Sequence, residues 1–225
     1  FGAPTLGRVD RKLLLPDRAP DMTGPERRWV GRVAGIDIEV AAVDAVTAAV
    51  DLAVAGLFTR EVSRLAGGME HLDRALQRVP TRLRDEGVFT GAASSSILIR
   101  HPPAPIMSGA ILVVGLGEPS EFAPEVLANA TRRTFDTAML LGAQSIAFAP
   151  SILDGGLVPD GDENLSQAMV TGIAQSARAA RRLAALGFSP PSPLVCWRFA
   201  ASPAHLAKAA DAFRRAVAGT PDPRE

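Results

Sequence analysis

The sequence has one cysteine, no tyrosine and only two lysines, Lys12 and Lys208, in 225 residues. The single Cys196 excludes a disulfide framework and a paired-cysteine zinc site, and it fits a reducing, cytoplasmic setting. Neither charge is in surplus: 24 basic residues balance 24 acidic ones. That balance argues against a protein that grips nucleic acid by neutralising phosphates. No apolar run approaches the ~20 residues of a membrane-spanning helix. The basic residues are nearly all arginine, as genomic base composition alone would produce. Methionine is absent from position 1, where Phe1 stands, so the expectation is a piece of something longer.

What is present is a folded core. The chain is 47% hydrophobic, too apolar and too neutral for intrinsic disorder. Residues 1–28 carry Pro4, Pro16, Pro20 and Pro25 and predict an extended proline-rich arm with a short apolar stretch at 13–15. Residues 219–225 predict a disordered tail, leaving 29–218 as one domain. Within it, β-branched or apolar runs at 30–33, 36–43, 52–58, 96–100, 110–116, 145–148 and 194–199 predict strands. The most apolar of these, 110–116, is expected at the centre of the sheet. Helical spacing links Met69, Leu72, Leu76 and Val79 in one helix. A second helix runs from Pro124 to a stop at Gly142, and a third from an Asn164 cap to Gly187. A last helix opens on Ser202 and Pro203. Buried strands alternating with helices predict a three-layer α/β/α domain with a mostly parallel mixed sheet.

Ligands in such a sheet sit at the carboxyl ends of strands, so the loops there are the candidates for chemistry. Gly67 and Gly68 precede a helix start, where bare backbone and the helix dipole favour an anion. A tight turn without ligand is the plainer reading. Gly115 and Gly117 end the apolar strand but lack the spacing of a dinucleotide fingerprint. Ser151, Asp154, Gly155 and Gly156 follow the 145–148 strand and combine a hydroxyl, a carboxylate and two glycines, which suits a phosphate or ribose cradle; Asp154-Gly155 is equally a common turn sequence.

Catalytic groupings are scarce. His71, His101 and His205 lie far apart, share no helix face and read as ordinary surface residues. Cys196, inside an apolar strand beside Trp197, reads as inert packing. Asp160, Asp162 and Glu163 lack the number and spacing of a calcium loop. Arg178, Arg181 and Arg182 read as a wet helix face. No metal and no cofactor is expected, and nothing in this inventory forces an enzyme.

The motifs LAGGMEHLDRAL at 65–76, GAILVVGLG at 109–117 and QSIAFAPSILDGG at 144–156, with the helix over 124–142, resemble a macro-type domain. They are similar to the macro-like N-terminal domain of leucyl aminopeptidase-type peptidases. The phrase GAILVVGLGEPSEFAPEVL and the last strand and alanine-rich helix resemble the macro-like domains that accompany bacterial CHAT (caspase-like) proteins. The resemblance covers residues 36–216. It implies a non-catalytic regulatory or scaffolding module, because leucyl aminopeptidases keep their metal ligands and catalytic lysine in a separate domain with an NTDAEGRL-type signature that is absent here. The implied partner is a linked CHAT-type or peptidase-like domain, and the implied ligand is a nucleotide or ADP-ribose between Gly67-Gly68 and Ser151–Gly156. The alternative it implies is the non-catalytic N-terminal domain of an aminopeptidase-like hydrolase. The sequence departs from the ADP-ribose-binding pattern at the aspartate that reads adenine, for which Asp44 is the nearest acid, outside the usual motif.

Overall fold

A computed structural model describes residues 25–59, 67–150 and 162–220. The expected tail from 221 onward and all but the last residues of the expected arm lie outside that description. The first two strands, β1 (Arg27–Val33) and β2 (Ile36–Ala41), form an antiparallel hairpin. Its turn is Ala34-Gly35, with φ of 47° and 79°. Two left-handed residues give a two-residue turn the twist that its strands need. The strand begins at Arg27, inside the stretch that proline content assigned to the arm.

Five further strands follow: β3 (Leu52–Phe58), β4 (Ser96–Arg100), β5 (Ala110–Gly117), β6 (Ser145–Ala149) and β7 (Cys196–Ala200). They join β1 and β2 in one seven-stranded sheet of order β1-β2-β7-β6-β3-β5-β4. The inner strands are parallel, while β1 and β4 pair antiparallel at the two edges. The helices are α1 (Gly67–Ala75), α2 (Val79–Asp85), α3 (Pro124–Leu141), α4 (Asp162–Ala185) and α5 (Leu206–Ala218). The architecture is the three-layer α/β fold that the alternating segments predict.

Two cores lie on opposite faces of the sheet. Val54, Leu112, Ile146 and Phe199 pack with residues of α3, α4 and α5. Their neighbours in sequence, Ala53, Ile111, Val113 and Ala147, pack with Met69, Leu72 and Leu76 on the other face. This alternation is the period-two consequence of the pleat. In the first core Phe199 stacks on Phe213 at 3.8 Å and meets Phe148 edge-on.

Four local expectations are corrected. Strand β5 is not central: β6 holds the middle, and β5 lies next to the edge strand β4. All eight β5 residues are nevertheless buried, because helices cover both faces there. Continuous hydrophobicity therefore reports two covered faces and not a central position. The single helix expected through Val79 is broken at Gln77 and Arg78, both left-handed, with φ of 54° and 61°. The buried Asp73 carboxylate accepts from the Thr81 backbone N–H (3.0 Å) and the Thr81 hydroxyl (2.8 Å), and Pro80 supplies the N-terminal turn of α2. The helix α4 starts at Asp162, which places Asn164 inside its first turn instead of at the cap. The helix α5 starts at Leu206, and Ser202 and Pro203 belong to the turn before it, where the His205 N–H donates to the Ser202 carbonyl (3.0 Å).

Candidate functional site

In the parallel part of the sheet all strands present their carboxyl ends on one rim. The helices that follow the adjacent strands β3 and β6 pack on opposite faces: α1 belongs to one core and α4 to the other. The rim between them is a topological switch point, where departing chains open a crevice. Thr59 and Pro150 are the last described residues of the two strand exits. Ser151, Asp154, Gly155 and Gly156 lie outside the described residues. Gly67 and Gly68 form the first turn of α1.

Gly68 lines a cleft of about 240 Å³ on this rim. The loop after β2 contributes Ala42, Val43, Asp44 and Thr47, and the turn after β7 contributes Ala201, Ser202 and Pro203. The cleft therefore joins three chain segments that are distant in sequence. Short side chains keep it open, and Asp44 is the only ionisable group among the described residues that line it.

Asp44 organises this site. One carboxylate oxygen, Oδ1, accepts from the N–H of Val46 (3.0 Å), the N–H of Thr47 (2.8 Å) and the Thr47 hydroxyl (2.9 Å). An aspartate that bonds the backbone two and three residues ahead closes its own turn. The other oxygen, Oδ2, lies 2.6 Å from His71 Nδ1. His71 is on α1, one turn beyond Gly67, so this pair ties the loop after β2 to the helix whose first turn faces the cleft. Burial pushes the Asp44 carboxyl upward, but hydrogen bonds from His71 and Thr47 and the charge of His71 outweigh it and hold the group below its ordinary value. The contact spans 27 residues of sequence, which hid it from a reading of local motifs. His71 is thus more than a surface histidine. His101 and His205 are exposed, and His205 Nδ1 is 2.9 Å from the Ser202 hydroxyl.

Gly115 and Gly117 meet the segment before β4. A Cβ on Gly115 would stand 2.1 Å from the Ala92 carbonyl oxygen and 2.4 Å from Ser95 Oγ. The N–H groups of Gly115 and Gly117 donate to the carbonyls of Ser95 (2.8 Å) and Gly91 (2.9 Å). Both glycines therefore let another backbone close against the end of β5. Beside them, the Thr59 hydroxyl donates to Glu118 (2.6 Å) and joins the ends of β3 and β5.

Cys196 is half-buried and lies 3.6 Å from the Glu39 carboxylate, which also accepts from Arg198 Nε (2.8 Å). Burial and the Glu39 charge push the thiol up to about 11, which leaves it protonated and inert at neutral pH. Among the described residues no group of three or more histidine, cysteine, aspartate or glutamate side chains could hold a metal ion. Among them, too, no helix is long and apolar enough to cross a membrane.

Comparison with known proteins places this geometry in context. The profile of the cytosol aminopeptidase family, N-terminal domain, matches residues 54–182. A probable cytosol aminopeptidase of Nitrosomonas eutropha is 30% identical over 111 residues, which are 49% of this chain and 22% of that protein. The chain thus spans under a quarter of that relative. A mutant tomato leucine aminopeptidase shares the fold with a TM-score of 0.57 at 20% identity, over 87% of this chain and 37% of that one. An Oceanobacillus iheyensis macrodomain with ADP superposes with a TM-score of 0.61 at 12% identity, over 87% of this chain and 97% of that one. A mutant of that macrodomain with ADPR gives 0.57 at 13% identity, over 86% and 97%.

Proposed function

This chain belongs to the cytosol aminopeptidase family as an N-terminal domain, and from that premise we propose that it is a non-catalytic, macro-like module that binds a nucleotide of the ADP-ribose class and regulates or scaffolds a linked peptidase-like domain. The observation that carries the proposal is the cleft that brings Gly68 at the start of α1 to Asp44 and Ser202. The N–H groups of the first turn of α1 and its dipole favour a diphosphate, and glycine leaves them uncovered. Asp44 Oδ2, engaged once by His71, retains acceptor capacity for an amine or hydroxyl of the ligand.

Macrodomains of the same fold with ADP and ADPR support the ligand class. In this proposal Ser151, Asp154, Gly155 and Gly156 also bind the nucleotide, and Gly115 and Gly117 act indirectly by closing the 91–95 segment against β5. The work takes place in the cytoplasm, where a lone thiol stays reduced. A CHAT-type protease as the linked neighbour is the second reading, favoured by the GAILVVGLGEPSEFAPEVL phrase over 109–127.

Thermal unfolding with and without ADP-ribose tests the proposal. The expected result is a rise of several degrees at saturating ligand, absent in Gly68→Glu, whose carboxylate would occupy the anion position. No response to ADP-ribose, ADP or other nucleotides would leave scaffolding alone.

A further inference from the structure

The turn after β7 carries a hydrogen bond whose direction depends on a proton. Ser202 lines the cleft, and its Oγ lies 2.9 Å from Nδ1 of His205, the residue before α5. The His205 N–H donates to the Ser202 carbonyl (3.0 Å), which closes the turn and holds the ring beside the hydroxyl. A serine hydroxyl has one proton to donate. Beside a neutral imidazole whose own proton is on Nε2, that proton is engaged by Nδ1, and Ser202 can only accept from the cleft. A protonated imidazole carries N–H on both nitrogens, so Nδ1 donates to Ser202 Oγ and the hydroxyl proton is released to the cleft.

We propose, on the nucleotide reading of the cleft, that this reversal couples ligand binding to pH: protonation of His205 turns Ser202 into a donor to an anionic oxygen of the ligand, so binding takes up a proton. The other lining hydroxyl, that of Thr47, donates to Asp44 (2.9 Å), which leaves Ser202 as the side-chain donor to an anion among the described lining residues. The charged groups on the described neighbouring elements are Asp44 with its partner His71, Glu26 and Arg28, paired with each other (3.1 Å) where β1 begins, and Lys208 one turn along α5. Histidine is the side-chain type among these that changes charge between about pH 5 and 8, so a His205 variant separates its effect from that of His71. Affinity is greatest below that range and falls as pH rises through it.

Two measurements on the full 225-residue chain test this: calorimetric titration with ADP-ribose at about pH 5.5 and about pH 8, and nitrogen NMR shifts of the histidine rings without ligand. Binding is expected to be about tenfold tighter at the lower pH, as for a hydrogen bond to a charged acceptor. Between the two pH values the binding heat should vary with the ionisation enthalpy of the buffer, which reports proton uptake. His205→Ala leaves the Ser202 hydroxyl free at both pH values, so its affinities are expected to agree within about threefold. In the free chain at about pH 8 the His205 ring, identified among the three histidines by its loss in His205→Ala, should carry its proton on Nε2. A proton on Nδ1 at that pH, equal wild-type affinities at both pH values, or a full pH dependence in His205→Ala each overturns the coupling. No ADP-ribose binding at either pH overturns the nucleotide reading and the coupling with it, a result distinct from binding that ignores pH.

Discussion

Replacing Asp44 by alanine removes the group that holds the cleft together, and the structure sets the size of the effect. The Val46 N–H, in a residue only 2% exposed, loses its acceptor, which costs about 1–3 kcal/mol when water cannot replace it. The Thr47 N–H is exposed, so solvent takes over most of that bond. The pair with His71 has side chains 27% and 43% exposed on Asp44 and His71, and contacts of that kind contribute about 0–1 kcal/mol. The expected loss is therefore about 2 kcal/mol for Asp44→Ala. Asp44→Asn keeps an oxygen for Val46 but puts an amide NH2 in place of the Oδ2 acceptor beside His71 and removes the charge, so about 1 kcal/mol is expected.

Urea unfolding at a series of pH values checks the origin of this stability. The native carboxyl titrates below its ordinary value, so the unfolded chain takes up the proton first as pH falls. The contribution of the charge is complete above the ordinary aspartate value of about 3.9 and is lost as pH drops through the lower native value. The gap between wild type and Asp44→Asn should thus narrow as pH falls below about 4. A neutral Asp44→Ala, or a gap unchanged down to about pH 3, would refute the role assigned to this carboxylate.

Gly115→Ala drives a methyl group into the Ala92 carbonyl at 2.1 Å. It is expected to lower stability by about 3 kcal/mol or more, measured by the same urea titration, because backbone must move to make room. The Cys196 thiol, pushed up to about 11, should react with iodoacetamide at pH 8 about 100-fold more slowly than an unperturbed thiol. Mass spectrometry of timed samples reads that rate; alkylation as fast as that of an unperturbed thiol would contradict the assigned burial and Glu39 contact.

The layered fold was legible because its signals are local and repeated. The run LAVAGLF reads as a doubly covered strand wherever it sits, and β3 spans those residues, Leu52–Phe58. Strand order was not legible: 110–116 is more apolar than 145–148, yet β6 takes the middle, since order depends on which helices cross which face. The break after α1 was missed because Asp73 reaches eight residues on to Thr81, which helical periodicity cannot register. The candidate site divided the same way. The position of Gly68 at the start of an apolar helix is legible from the sequence. The pairing of Asp44 with His71 is not legible, because one sequence carries no trace of a contact between a loop and a helix 27 residues away. The place of Cys196 in a strand is legible, whereas its contact with Glu39 on β2 depends on the sheet register.

Calorimetric titration of ADP-ribose into the purified chain tests the nucleotide-binding cleft most directly. The expected result is saturable heat at one ligand per chain, absent in Gly68→Glu and weakened in Asp44→Ala. Heat no greater than dilution with about 100 μM chain, or binding left intact by Gly68→Glu, would contradict a ligand seated on the first turn of α1.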